Sequence, residues 1–215
     1  MKFSESKGGA AKSSVDLFQY KDGEQSFRMF GDILPRYMYW CPTVKGKDLP
    51  VECLSFDRDK ERFTNVEPDH VLKFFPTGKD GKANRPDWSY TIQGIDLADG
   101  KVKVIPLKRK LLAQIQDVAG QLSLDPTDPE TGFDIVFKRA KTGPHVYNVE
   151  YTVQVLKCKQ RALTSAELEA VKVAKPIAEI YPRPTPEEVM AQLVKITTPE
   201  DDENSGTDKE AASDL

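Results

Sequence analysis

Alternation of apolar and polar residues constrains the fold of this chain more than any other feature. In the segment YNVEYTVQV, every second residue from Tyr147 to Val155 is aromatic or β-branched, and the residues between them are polar. Because a strand points successive side chains to opposite faces, this pattern predicts a half-buried β-strand.

A second segment, FDIVFKR, places Phe133, Ile135 and Phe137 on one face in the same way. A Gly-Pro turn signal, Gly143-Pro144, separates the two segments. We therefore predict that they pair as a hairpin. Further apolar or aromatic runs read as strands, and they have the sequences SFRMF, RYMYW, VECLSF, WSYTIQGI and KVKVIPL. A β-rich core follows.

Three segments have helical patterns. LKRKLLAQIQDVAGQL has apolar residues at helical spacing and is predicted to form one helix between two strand pairs. In TSAELEAVKVA, Thr164 is the predicted N-cap of a helix. Thr185 is the predicted N-cap of a second C-terminal helix, with Pro186 at its first position. Threonine caps and a proline in the first turn are typical of helix starts.

Composition limits the domain organisation. A chain of 215 residues with 39% hydrophobic content can bury one good core. Residues 1–24 are rich in Gly, Ser and Lys and are predicted to be a flexible arm. The main domain is predicted over 25–163, a helical segment over 164–196, and a disordered acidic tail over 197–215.

The acidic end contrasts with the rest of the chain. From Glu200 to Leu215, seven acidic residues stand against Lys209 alone, which gives −6; since the whole chain carries −3, the remainder carries +3. No segment is long and apolar enough to span a membrane, and the N-terminus has no apolar signal region, so a cytoplasmic protein is expected.

The sequence offers little for catalysis or metal binding. His70 and His145 are far apart, and no phosphate-loop spacing is present. Cys41, Cys53 and Cys158 contain no CxxC pair, so reduced thiols are expected. We predict no enzyme activity, no cofactor and no zinc site.

Aromatic residues interleaved with basic ones favour nucleic-acid binding. Flat rings can stack on unpaired bases while cations neutralise phosphates, although the same rings could instead be core. The candidate DNA-binding residues are Arg36, Tyr37, Tyr39, Trp40, Arg58, Lys60, Arg62, Phe63, Lys73, Phe74, Lys79, Lys82, Arg85, Lys108, Arg109, Lys138 and Arg139.

Strand geometry divides the ring-rich segment PRYMYWC into two faces. Tyr37 and Tyr39 lie on one face, and Met38 and Trp40 lie on the other. Only one face can be buried. We predict Tyr37 and Tyr39 as the exposed stacking residues, and the opposite assignment stays open.

Four segments carry a resemblance to a known family: GKVKVIPLKRKLLAQIQDV, DPTDPETGFDIVFKRAKTGPHVYNVEYTVQ, LTSAELEAV and YPRPTPEEVMAQL. Together they resemble the bacteriophage replication single-stranded DNA-binding proteins, the helix-destabilising family with an oligonucleotide-binding (OB-type) barrel. The second segment is the most specific of the four.

The resemblance implies a five-stranded barrel that binds single-stranded DNA without sequence preference during replication, recombination and repair. It also implies an acidic tail that recruits replication and recombination proteins and competes with DNA. The tail residues expected in that role are Glu200, Asp201, Asp202, Glu203, Asp214 and Leu215. A phage protein would act in the cytoplasm of the infected host. Self-association along DNA stays open, because the arm has no dense basic cluster.

The main alternative is a protein-interaction module of the replication machinery with little intrinsic DNA affinity. The near-neutral charge of the chain keeps this alternative open, since many nucleic-acid-binding domains are more basic. RNA binding also stays open, because a stacking surface accepts both nucleic acids.

Overall fold

The computed structural model describes residues 15–43, 46–64, 66, 69–78, 81–145 and 147–198. They form two compact units. The first contains the described residues up to Tyr37, Phe56–Phe63 and Trp88–Arg183, and the second contains Met38–Ser55, Thr64–Asp87 and the described residues from Pro184 onward. This division differs from the predicted one, because each unit is assembled from separate stretches of chain.

The described residues form ten strands and five α-helices. The strands are β1 (Gly23–Leu34), β2 (Tyr37–Pro42), β3 (Asp48–Glu52), β4 (Phe56–Asp57), β5 (Arg62–Phe63), β6 (Asp87–Trp88), β7 (Thr91–Asp96), β8 (Lys101–Pro106), β9 (Ile135–Lys141) and β10 (Val149–Val153). The helices are α1 (Val71–Phe74), α2 (Arg109–Leu122), α3 (Ser165–Val173), α4 (Ile177–Ile180) and α5 (Pro186–Thr197). The chain is mainly β, as predicted, and none of these helices is a candidate for crossing a membrane.

An antiparallel sheet of five strands organises the first unit, in the order β10-β9-β1-β7-β8. Phe27 in the central strand β1 is paired with Ile135 of β9 on one side and Asp96 of β7 on the other. The predicted β9–β10 hairpin is confirmed, with Tyr151 opposite Arg139. The outer strands β10 and β8 are not paired with each other within the described residues, so the sheet is open and the predicted closed barrel is not confirmed.

Both open edges of the sheet are occupied by other parts of the chain. The Phe18 N–H donates to the Val104 carbonyl of β8 (2.9 Å), and the Val104 N–H donates to the Asp16 carbonyl (2.8 Å). At β10, the Gln114 side chain of α2 donates to the Tyr151 carbonyl (2.7 Å) and accepts from the Val153 N–H (2.8 Å). Free strand edges are thereby protected from pairing with other chains.

The N-terminal contact corrects the predicted extent of the flexible arm. Phe18 is buried among aromatic rings, and its ring centroid lies 5.3 Å from that of Phe27. Tyr20 also packs edge-on against Tyr151, at 5.6 Å between centroids. The folded unit therefore begins before residue 25, and residues 1–14 lie outside the described residues.

Helices cover both faces of the sheet. One face carries Phe27 and Phe137, and α2 buries Leu111 and Ile115 in the same core. On the other face, Ile177 of α4 packs with sheet residues in a smaller cluster. The position of α2 between β8 and β9 confirms the predicted helix between two strand pairs.

The second unit is built on a smaller sheet with the order β3-β2-β6. Helix α5 packs on β3 and buries Val189, Leu193 and Ile196. Helix α5 starts as predicted with a capping box, in which the Thr185 hydroxyl accepts from the Glu188 N–H and the Glu188 carboxylate accepts from the Thr185 N–H. An equivalent box starts α3 with Thr164 and Glu167.

Candidate nucleic-acid interface

Strand β2 exposes the face opposite to the one we predicted. Tyr39 is only 2% exposed, and its hydroxyl donates to Asp69 Oδ2 (2.6 Å). Burial and this hydrogen bond raise the pKa of Tyr39. The prediction that Tyr39 belongs to an exposed stacking surface is therefore wrong. The exposed ring of β2 is Trp40, which is 50% accessible.

Tyr39 should therefore contribute to stability and not to DNA affinity. Replacing Tyr39 with Phe removes the hydroxyl donor and leaves one Asp69 oxygen without it, so we expect a loss of about 1 kcal/mol in the free energy of unfolding. Urea denaturation measures the effect, with Tyr147→Phe as a control at an exposed ring. An unchanged urea midpoint for Tyr39→Phe would contradict the assignment.

Other predicted site residues of the second unit lie on its surface. Lys73 is exposed and Phe74 is partly buried at the end of the short helix α1, and Lys82 and Arg85 are exposed in the loop before β6. Lys79 lies outside the described residues. Trp40 is the side chain of this unit that best fits a stacking role.

In the first unit, five rings form what we call the aromatic cluster: Tyr37, Phe56, Phe63, Trp88 and Tyr90. Tyr37 lies 4.7 Å from Phe56 and 4.9 Å from Phe63 between ring centroids. Trp88 and Tyr90 are stacked at 4.4 Å with an interplanar angle of 17°. Phe56 is buried, whereas Phe63 is 48% exposed. The cluster thus presents a ring to solvent from a fixed base.

Within the aromatic cluster, a hydrogen bond connects the Trp88–Tyr90 stack to the strand that carries Phe63. The Tyr90 hydroxyl donates to Glu61 Oε2 (2.9 Å), and Glu61 lies two residues before Phe63. Burial, the hydrogen bond to Glu61 and the nearby Tyr37 all raise the pKa of Tyr90. The Tyr90 hydroxyl therefore stays protonated and keeps the Arg62–Phe63 strand in place.

Four predicted cations accompany the aromatic cluster in sequence, but they have different surroundings. Arg62 is exposed beside Phe63. The Lys60 ammonium pairs with Asp57 (2.8 Å). The Arg36 guanidinium lies over the Tyr181 ring at 4.2 Å, and Arg58 donates to the Tyr181 carbonyl (3.0 Å). Arg62 is therefore the best placed of the four to reach a phosphate, while Arg36 and Arg58 hold the Tyr181 segment.

A second group of rings and cations lines what we call the tyrosine cleft, formed by Tyr20, Tyr147, Tyr151, Lys108 and Arg139. The cleft is open to solvent and has a volume of about 560 Å³. Tyr147 is 73% exposed, and its ring stacks on His145 at 5.0 Å. The Lys108 ammonium lies 5.4 Å from the centre of the Tyr20 ring. Rings and cations thus meet at one opening.

The remaining predicted cations do not join this cleft. Lys138 and Arg139 are neighbours on β9, so their side chains point to opposite faces, and only Arg139 lines the cleft. Arg109 is exposed at the first position of α2. Lys138 therefore lies outside the cleft, and its role in DNA binding stays a prediction.

Several residues of the aromatic cluster and of the tyrosine cleft are not among the predicted DNA-binding residues. Tyr147 and Tyr151 belong to the alternating face that predicted β10, and we assigned that whole face to the core. Tyr20 belongs to the segment we assigned to the arm. Trp88 follows the basic loop in sequence, and its stacking on Tyr90 depends on the path of the backbone through Ser89, which no local sequence signal indicates.

The described residues contain no group of three or more His, Cys, Asp or Glu side chains that could hold a metal ion. Cys41, Cys53 and Cys158 are buried free thiols. Burial raises the pKa of each of them, so they are not activated nucleophiles.

Comparison with known proteins gives one informative relative. No family model matches the chain. The chain is 30% identical to a protein of Escherichia phage T5 named "Probable ssDNA-binding protein", in an alignment that covers 96% of each chain.

Proposed function

Because this chain belongs to the family of phage single-stranded DNA-binding proteins, we propose that it binds single-stranded DNA without sequence preference. The observation that carries the proposal is the aromatic cluster, in which half-exposed Phe63 stands on Tyr37 and Phe56. A ring fixed in this way can stack on any base, because every base has a flat π face. The exposed Arg62, whose side chain points to the other face of β5, can neutralise a phosphate further along the same DNA strand.

We further propose that the main sheet is an OB-type barrel whose last seam is open. If β1, β7, β8, β9 and β10 are the five barrel strands, the observed order keeps the first strand between the second and the fourth. Helix α2 lies between the third and fourth of these strands. OB-type barrels are partly open, and they bind oligonucleotides at the second and third strands and at the loops after the first and fourth strands.

That assignment would place both groups of rings at binding loops. Tyr37, Phe63 and Trp88 lie in the long connection between β1 and β7, and Tyr147 lies in the loop between β9 and β10. Proteins of this kind combine stacking with phosphate neutralisation, so binding should fall steeply with salt and depend little on sequence.

The acidic tail is proposed to recruit replication and recombination proteins and to compete with DNA for the basic surface. Its residues Glu200, Asp201, Asp202, Glu203, Asp214 and Leu215 lie outside the described residues. The support is charge: a tethered −6 segment acts at high effective concentration on cations of the same chain. The protein would then serve replication, recombination and repair in the cytoplasm of the host, without catalysing a reaction.

The test is a titration of labelled oligo-dT with the full chain and with a chain ending at Ile196, at 50 mM and 200 mM NaCl. We expect both proteins to bind, the affinity to fall by at least tenfold at the higher salt if several phosphates are contacted, and the shorter chain to bind a few-fold more tightly. Absence of binding by both proteins at 50 mM NaCl would instead favour the protein-interaction module. Equal affinities would remove competition by the tail.

A further inference from the structure

The tyrosine cleft lies where the sheet is open. Residues Asp16 to Phe18 pair with β8, and Tyr20 then contacts Tyr151 of β10. The N-terminal segment therefore crosses from one outer strand to the other. Pro106, the last residue of β8, and Lys108 line the cleft together with Tyr151 and Arg139. A loop, a helix start and two strands thus fix its walls.

Polar groups converge on this cleft without enough partners. Arg139 pairs with Asp22, but its Nε is buried and donates to no partner within the described residues. The Tyr20 hydroxyl is likewise buried without a hydrogen bond there. Since a buried donor that lacks an acceptor costs free energy, this arrangement is suited to an incoming acceptor.

Positive charge accumulates at the same place. The Lys108 side chain is exposed overall. Partial burial of its ammonium and repulsion by Arg139 lower the pKa of Lys108 below its ordinary value. An anion between the two cations would relieve that repulsion. Asp22 is the carboxylate that faces Arg139, and it is 57% exposed, so it neutralises the pair only in part.

Helix α2 begins next to the cleft. Lys108 is its N-cap residue in an extended conformation, and neither a capping side chain nor an acidic first-turn residue satisfies the first backbone N–H groups. Free N–H groups and the helix dipole favour an anion at such a terminus. The other two helices longer than eight residues, α3 and α5, start instead with complete capping boxes.

We propose that the tyrosine cleft is a phosphate subsite that binds one backbone phosphate of the DNA strand between Lys108 and Arg139. The subsite rests on the proposed function, and it adds a place where the strand is held through its backbone. A phosphate there would accept from the Lys108 ammonium, from Arg139 Nε, which Asp22 does not use, and from the Tyr20 hydroxyl. Tyr147 at the rim would support the adjoining base.

The test compares Lys108→Gln with Lys172→Gln in the full chain. The two variants remove the same charge, but Lys172 is 67% exposed on α3 and belongs to neither the cleft nor the aromatic cluster. The probes are labelled oligo-dT and an abasic deoxyribose-phosphate oligomer of equal length, which has no bases to stack. Titrations from 50 mM to 200 mM NaCl give the affinity and its salt dependence, and thermal unfolding shows that each variant is folded.

We expect Lys108→Gln to bind both probes about tenfold more weakly at 50 mM NaCl, as the loss of a charge-assisted contact predicts. The slope of log K against log salt should become shallower by about 0.7, the value for one phosphate on a single strand. Lys172→Gln should match the parent protein. Tyr20→Phe removes only the hydroxyl, and it should also bind both probes more weakly than the parent protein does.

Equal effects of Lys108→Gln and Lys172→Gln would overturn the subsite while leaving the proposed function intact, because the charge would then act only through the general field. A loss confined to oligo-dT would also overturn it, since the contact would then involve a base. Oligo-dT with a 5′-phosphate could bind the parent protein more tightly than oligo-dT without it, while Lys108→Gln binds the two equally. The subsite would then hold a terminal phosphate, and the backbone assignment would be wrong. Failure of the parent protein to bind either probe would remove the proposed function and the subsite together.

Discussion

Replacing Phe63 with alanine is expected to weaken oligo-dT binding by about 1–3 kcal/mol, or roughly 5- to 150-fold, while leaving the protein folded. The ring is 48% exposed, so about half of its surface is available to stack on a base. Its removal takes away that stacking surface. Because Tyr37 and Phe56 support the ring from below, Phe63 pays little conformational entropy on binding.

Two controls distinguish stacking by Phe63 from a nonspecific loss of apolar surface. The Leu156→Ala variant removes a side chain that is 94% exposed in the same unit, and it should leave oligo-dT affinity unchanged. Phe63→Ala should also bind the abasic oligomer as well as the parent protein does. A Phe63→Ala variant that is folded and keeps the parent affinity for oligo-dT would remove the aromatic cluster from the DNA site.

The strands and helices were largely predictable, because their signals are local. The alternating residues of β9 and β10 and the turn between them predicted a hairpin that is present. The threonine caps of α3 and α5 were predicted as well, since a cap depends on residues only three positions apart. Burial of Phe133, Ile135 and Phe137 followed from the same alternation.

Long-range choices were not predictable from these local signals. Both faces of β2 carry aromatic rings. The acceptor for the hydroxyl of buried Tyr39 is Asp69, which lies 30 residues further along the chain. The N-terminal segment has the composition of a flexible arm, yet Phe18 and Tyr20 complete the aromatic core next to Phe137. A few large rings outweighed the surrounding Gly, Ser and Lys residues.

The loop DPTDPETG, at the start of the segment with the most specific resemblance, has a structural role. Fully buried Arg28 of β1 donates through Nη2 to the Asp128 carbonyl in this loop (2.5 Å). A Cβ atom at Gly132 would lie 2.6 Å from that same Nη2 atom, so the loop can pass over Arg28 only with glycine there. The resemblance in this loop is therefore explained by the fold.

A second arginine connects the same segment to helix α3. Arg161 donates through Nε to Asp134 Oδ2 (2.7 Å), and through Nη1 and Nη2 to the two carboxylate oxygens of Glu167 (2.7 and 2.8 Å). Glu167 also accepts from the Thr164 N–H in the capping box. One carboxylate thus fixes both the start of α3 and the guanidinium that reaches β9, which is the geometry of a strong ion pair.

Removing the charge of Glu167 should therefore cost far more than the loss of an ordinary cap. The hydrogen bonds from Arg161 lower the pKa of Glu167 from 4.5 to about 2. A folded-state pKa below the unfolded value stabilises the folded state above pH 4.5, and this stabilisation is lost as the pH falls toward 2. For this mostly buried side chain the shift corresponds to about 3 kcal/mol, so we expect Glu167→Gln to lose about 2–3 kcal/mol at pH 7.

Urea denaturation between pH 7 and pH 2.5 tests this expectation. Glu188→Gln is the matched control, because Glu188 closes the same capping box on α5 without an arginine partner within the described residues. We expect Glu188→Gln to lose less than about 1 kcal/mol at every pH. The difference between the parent protein and Glu167→Gln should shrink as the pH falls below 4.5, since protonation of Glu167 in the parent has the same effect as the substitution. A difference that is constant with pH, or equal for the two variants, would show that the carboxylate contributes only a cap.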